Sequence, residues 1–463
     1  MSTSLTSTQI SQLTTSALAG LSTTDFAGFT SAQSPGFTSA QVAALGTANI
    51  AALTTAADSA LAASALAGLG SAGITALGTA GVAALTTAQL PSLTTADALG
   101  LTSAMLNALG TRQIAALAAN DYAVLTTTAF DGISTANLPA LTATQLRDVT
   151  TAQLAGLGTA QAHVLSTLEA ATLVSAQVAA LGSANIGALA TAAVAALAAS
   201  ALGGLGSAGI TALGTAGVAA FTTAQLPSLT TADAVGLTSA MLNALGTGQI
   251  AALAANDYGV LTTTAFAGLS TANLRALTAA AVRDVTTAEI AALGTAQAAA
   301  FGTVQAAALS SAQVAALGTA NIAALATTAI AALTATALPG FGSAGIVALG
   351  TAGLNALTAT QFLSLNTAEV NSITTAQIAA LGTGDLAAMT GTEIAALSTA
   401  TLAQIPTANI PALTRAEVIG LTTADIGALS TAEIHAMSSA QVGAFTSTQL
   451  HVLTGPDLAA LFH

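Results

Sequence analysis

The chain has 463 residues, 53% of them hydrophobic and only 5% charged, where an ordinary globular protein carries roughly 25% charge. Five Arg face 18 acidic residues for a net charge of -13, which argues against a basic nucleic-acid-binding surface, and the apolar content argues against disorder. Cys and Lys are absent, so there is no disulfide scaffold, no thiol nucleophile and no Walker-type phosphate loop.

Mean hydropathy is +0.78, but a membrane-spanning segment is not expected. A spanning helix needs about 20 mostly apolar residues. Here Thr, Ser, Gly or Gln interrupts nearly every group of eight. The first residues, Met1 to Gln12, are polar and do not read as a secretory signal.

The dominant feature is a register. From Leu5 to Leu461 every eighth residue, 58 in all, is Leu, Ile, Val, Phe or Met, with no insertion. The consensus unit reads Leu-Thr-Thr-Ala-Gln-Ile-Ala-Ala; Leu85 to Ser92 is close to it, Ile373 to Ala380 differs only in its first residue, and the ridge residue is numbered as the first site. The sixth site is a second apolar ridge, as at Ile10, Val42, Ile74, Tyr122 and Ile250. It precedes the next Leu by three residues, a spacing that suits one helix face, and a strand would place the two sites on opposite faces. High Ala content also favours helix.

Along the chain, Gly46, Gly70, Gly110, Gly206, Gly294 and Gly342 follow the ridge residue and precede a hydroxyl residue. That order reads as a helix end followed by an N-cap, so each octad is expected to be a capped helix of about six residues. The third-site hydroxyl is taken as the cap. Where it is missing, Thr142, Thr278, Thr334, Thr358, Thr390, Thr414 and Thr454 before the gap, or Ser64, Asn120, Ser200 and Asn256 after it, are expected to take over. Fourteen of 18 acids, among them Asp97, Glu169, Asp233 and Glu289, share the fifth site, where a first-turn carboxylate favours the helix N-terminus. Pro35, Pro91, Pro139, Pro227, Pro339 and Pro411 share the seventh site, implying an irregular first turn or a later helix start. Arg147, Arg275, Arg283, His163, His435 and His451 use the same seventh site, which therefore faces solvent.

The expected fold is all-α: one elongated solenoid over residues 1–463, one short capped helix per octad. Helices this short are unstable alone and must stack. Two octads per coil would give 29 coils and a rod on the order of 260 Å. A longer repeat starts near Leu69, Leu205 and Phe341, a step of 17 octads each time, and is explained by duplication or by a surface recurring along a fibre.

No catalytic, cofactor or metal site is expected. His163, His435, His451 and His463 have no metal-type partner at helical spacing. His435 and His451, two octads apart, are candidates for one face of the rod. Asn120-Asp121-Tyr122 and Asn256-Asp257-Tyr258 are the most polar clusters, and capping explains them better than calcium.

Units such as Ile373-Thr-Thr-Ala-Gln-Ile-Ala-Ala-Leu381 and Leu429-Ser-Thr-Ala-Glu-Ile434 resemble the LTTAQIAAL-type octapeptide repeats of large bacterial exoproteins. The resemblance implies a bacterial, extracellular or cell-surface protein exported without a classical signal, although no calcium-binding export module is recognisable. The expected function is structural: a protein that self-assembles head-to-tail into a filament, sheath or surface layer. Its partner is then itself, with cell-surface polysaccharide as a further candidate. The alternative is a rod-like adhesin or ice-binding module built on Thr rows, though capping explains those Thr residues better.

Overall fold

The computed structural model describes residues 5–461. It is a helical repeat solenoid with no strand among the described residues. The chain divides into two compact units, Met1–Gly236 and Leu237–His463, each built from the same octads.

Most octads form one helix of four to six residues, such as Thr15–Ala19, Ser39–Ala44 and Thr423–Ala428. The cap lies one residue earlier than expected. Thr14, Ser22, Thr38 and Thr54, all second-site residues, accept a hydrogen bond from the backbone N–H three residues on. The third-site hydroxyl is the first helical residue and is mostly exposed, as at Thr15, Ser39 and Thr55. Thr142, Thr278, Thr358, Thr390 and Thr414 cap as expected, because they already occupy the second site. Ser64, Asn120, Ser200 and Asn256 do not. Ala62, Ala118, Ala198 and Ala254 stand at those N-caps without a side-chain bond.

Proline produces the irregular turn. Ser34–Gly36, Leu90–Ser92, Leu138–Ala140, Leu226–Ser228 and Leu338–Gly340 are 3-10 turns carrying Pro, and Thr407–Ala412 is a longer one around Pro411. The missing N–H rules out a further α-turn there. The charged seventh-site residues Arg147, Arg275, Arg283, His163, His435 and His451 are exposed.

The coil contains three octads, not two. Each helix packs against the helix three octads away: Ser7–Ser11 against Ser34–Gly36, Thr15–Ala19 against Ser39–Ala44, and Ala119–Val124 against Ala143–Asp148. The expected 29 coils and their length therefore fall away. Both ridges are buried almost throughout, from Ile10, Leu18 and Phe26 to Ile426 and Leu429, and they form the core between coils. Tyr122 and Tyr258 are fully buried second-ridge residues, and each donates its hydroxyl to the carbonyl eight residues back, at Ile114 and Ile250.

Serine and glycine set the closest approach of coils. Gly68, Gly100, Gly204 and Gly340, at the eighth site, lie against the backbone of Ser39, Ser71, Ser175 and Ser311 in the preceding coil. A Cβ at Gly68 would collide with the Ser39 carbonyl.

Candidate functional site: the seam between coils

The fifth site turns inward and lines the seam where one coil meets the next. Gln41 shows the common arrangement. Its Oε1 accepts from the Thr38 N–H at 2.8 Å, closing a capping box with the Thr38 hydroxyl. Its Nε2 donates to the carbonyls of Ile10 and Leu13, both at 2.8 Å, in the preceding coil. One amide thus satisfies its own helix start and two backbone acceptors 31 and 28 residues back. Gln89, Gln153, Gln225, Gln313, Gln361, Gln441 and Gln449 repeat the pattern. Buried amides with both ends used belong to the framework, since each unmade bond would cost about 1–3 kcal/mol.

Acids take the same site and lack the donor. Asp97 is resolved by a turned peptide. Leu69 has ψ -46° and Gly70 φ +62°, whereas an ordinary ridge residue such as Leu109 has ψ 141°. The peptide between them turns over and presents its N–H to the next coil, where Gly70 donates to Asp97 Oδ1 at 2.6 Å. The other oxygen, Oδ2, accepts from the Thr94 N–H and hydroxyl, each at 2.7 Å. Only glycine adopts that φ without strain. Leu205, Gly206 and Asp233 reproduce the arrangement in the next copy of the long repeat, with a 2.7 Å bond. A peptide turned at Gly350 has the complementary effect on an amide: Gln377 donates to Ile346 and to the Gly350 carbonyl, 3.2 Å away, in place of the ridge carbonyl.

Asp425 and Asp457 use a third solution. The third-site hydroxyls of Thr399 and Thr431 donate to them across the seam at 2.8 Å.

Glu169 and Glu289 have neither device. In each, Oε2 completes the capping box at 2.7 Å, and Oε1 is buried with no hydrogen-bond partner. Burial pushes both carboxyls above their ordinary range. Burial also raises Asp121 to about 6, with Asp97 one coil away adding to the effect. Asp58 is the extreme case. It occupies the second ridge, is 2% exposed, and burial raises it to about 7. Gly81 leaves room for its carboxyl, for a Cβ there would stand 2.9 Å from Oδ2.

The sequence-derived candidates are scattered by this geometry. With three octads per coil, a spacing of two octads puts His435 and His451 on different helices of the coil, so they do not share a face. His163 Nδ1 lies 3.0 Å from the Ala188 carbonyl and His451 Nδ1 2.7 Å from the Ser447 carbonyl, and His463 lies outside the described residues. Asp121-Tyr122 and Asp257-Tyr258 face the core, while Asn120 and Asn256 lie nearer the surface. No group of three His, Cys, Asp or Glu is placed to hold a metal ion among the described residues. A shallow cleft of about 710 Å³ in the first unit is lined by residues such as Thr47, Ser71, Thr75, Leu99 and Thr126, and no charged group lines it. No helix among the described residues is long and apolar enough to cross a membrane.

Residues 18–55, 378–415 and 418–455 match the ALTTAQ repeat family. They lie in both units, and the first and last of them contain the seam amides Gln41, Gln441 and Gln449. No curated protein and no solved structure matches the chain.

The seam is hidden in the sequence because nothing local to one octad tells that the amide at the fifth site reaches a carbonyl 28 residues back. Its signal was available: Ser and Gly recur at one constant separation, Ser39 with Gly68, Ser71 with Gly100, Ser175 with Gly204 and Ser311 with Gly340. That separation is three octads plus the step from the third site to the eighth, which sets the coil.

Proposed function

We propose that this chain is a structural protein that stacks end to end through its first and last described coils. The observation that carries the reading is apolar surface on those coils. Leu5, Leu13 and Leu21 are only half-buried, whereas later first-ridge residues are buried almost throughout. Leu450 is 39% and Leu458 38% exposed at the second ridge, which is core nearly everywhere else. The two surfaces are also chemically complementary. Gln9 keeps its capping bond to Thr6 and has an exposed side chain, so its amide can serve a preceding coil. The last coil offers ridge carbonyls to a following one. A second copy of the chain supplies each face with what the coils inside the chain supply to one another, and a contact of that kind continues indefinitely if it does not close. A filament, sheath or layer outside a bacterial cell is the setting that the repeat resemblance suggests.

Sedimentation and electron microscopy of the purified chain test this. Filaments that lengthen with concentration are expected, and Leu450→Arg with Leu458→Arg should shorten them without loss of helix. Monodisperse monomers at high concentration would overturn the proposal.

A second reading has one observation in its favour. Third-site hydroxyls are released from capping and exposed, so the reason for setting aside a Thr-lined binding surface no longer holds. Thermal hysteresis of the purified protein would support ice binding, and its absence would remove it.

A further inference from the structure

We propose that Glu169 and Glu289 hold the seam as neutral carboxylic acids, each donating its proton to the preceding coil as glutamine does elsewhere, so that the stack tightens in acid and loosens in alkali. Glutamines one coil away from each glutamate define the arrangement. Gln145 stands one coil before Glu169 at the same site, and its Nε2 donates to Ile114 and Leu117. Gln313 stands one coil after Glu289 and donates to Val282 and Val285, both at 2.7 Å. The same spacings, 31 and 28 residues, place Glu169 against the carbonyls of Leu138 and Leu141, and Glu289 against those of Tyr258 and Leu261.

Both glutamates keep the glutamine arrangement on the capping side, where Oε2 accepts from Ser166 or Thr286. The remaining oxygen, buried and without a partner, occupies the place of the amide nitrogen. An ionised carboxylate there turns an acceptor toward acceptors. A carboxylic acid turns an O–H toward them and reproduces the amide.

The helices packed most closely against the two glutamates carry no buried charge. The helix before Glu169, Ala143–Asp148, carries Arg147 and Asp148, both exposed, and the helix after it, Thr191–Ala196, carries no titratable group. Glu289 packs between Thr263–Ala267 and Ser311–Ala324, neither of which carries one. Tyr258 contributes only a carbonyl, and its hydroxyl is committed to Ile250. The direction of both carboxyl shifts, upward through burial, agrees.

For an acid raised in the folded state, the stabilising contribution is complete below the ordinary carboxylate range and is lost as pH rises through the raised value. The test uses the full chain at a concentration where it is monomeric, melted from about pH 4 to about pH 8. The wild type should melt progressively lower as pH rises. The double variant Glu169→Gln, Glu289→Gln should melt higher than wild type at the alkaline end and lose part of the slope. An unchanged slope, or a variant less stable at the alkaline end, overturns the proposal. A second measurement does not depend on the variant's stability. With carboxyl-labelled glutamate, the two resonances that vanish in the variant must titrate above the ordinary glutamate range, and titration within that range overturns the proposal equally.

Discussion

Asp97 and Glu169 occupy the same site of their octads, and both are fully buried against a preceding coil. Around Asp97 the backbone has changed: the peptide before Gly70 is turned, and an N–H meets the carboxylate at 2.6 Å. Around Glu169 the octad one coil earlier is of the ordinary kind, Leu141 followed by the cap Thr142, with Leu141 at ψ 134° and its carbonyl forward. The same chemical group is accommodated once by altering the scaffold and once by retaining a proton. The lesson is that a side chain in this seam cannot be interpreted without the residue 27 or 28 positions earlier.

The comparison can be broken at its most extreme member. Asp58 has neither a turned peptide nor a capping role, and the corresponding position in the next copy of the long repeat is Val194. Asp58→Val should stabilise the chain above about pH 7 by on the order of 2–4 kcal/mol, since burial holds the carboxyl at about 7 and solvent screening takes part of that cost away. The gain should fade toward about pH 4, because a carboxyl raised to about 7 costs stability only once the unfolded chain ionises. Denaturant unfolding across that range checks it.

Amide substitution sharpens the contrast, because its sign should reverse between the two sites. Asp97→Asn turns a donor toward the Gly70 or Thr94 N–H and should cost about 1–3 kcal/mol, with Asp233→Asn alike. Glu169→Gln should be neutral to stabilising at neutral pH. Equal effects at both sites, measured by denaturant midpoints, would erase the distinction.

The two hydroxyl sites make a smaller test. Thr38→Ala removes a cap bond and should cost about 1 kcal/mol, whereas Ser39→Ala, one residue on, should change stability by less than about 0.5 kcal/mol. The smallest effect is expected at the exposed seventh site. Arg283→Ala should leave the melting temperature nearly unchanged.

Much of the fold was legible. Two ridges three residues apart imposed helix, and glycine followed by a hydroxyl marked where helices stop and restart. The cap was misplaced by one residue because the consensus doubles its Thr, and either can satisfy an N-cap rule in isolation. Only the reach of Gln41 back to Thr38 distinguishes them, through a box of fixed length. The number of octads per coil was not legible from the ridges, which repeat identically whatever the coil. It depends on unlike residues meeting across the seam, Ser39 with Gly68 or Gly70 with Asp97, and those pairs repeat on a longer interval than the octad. The acids were correctly placed in the first turn, but their burial was missed, since a capping carboxylate ordinarily faces water.

Three octads to a coil also bears on how such a gene can grow. The long repeat is 17 octads, and 17 is not divisible by three. Leu69 and Leu205, both in the first unit, therefore begin their copies on different helices of the coil. A duplication of any whole number of octads preserves the seam, yet it shifts every following side chain around the coil unless the number is a multiple of three. Outward-facing residues are thus reshuffled by the event that lengthens the protein. Gly70 and Asp97 are inherited together, as Gly206 and Asp233 attest, because both partners of the pair fit inside one duplicated block.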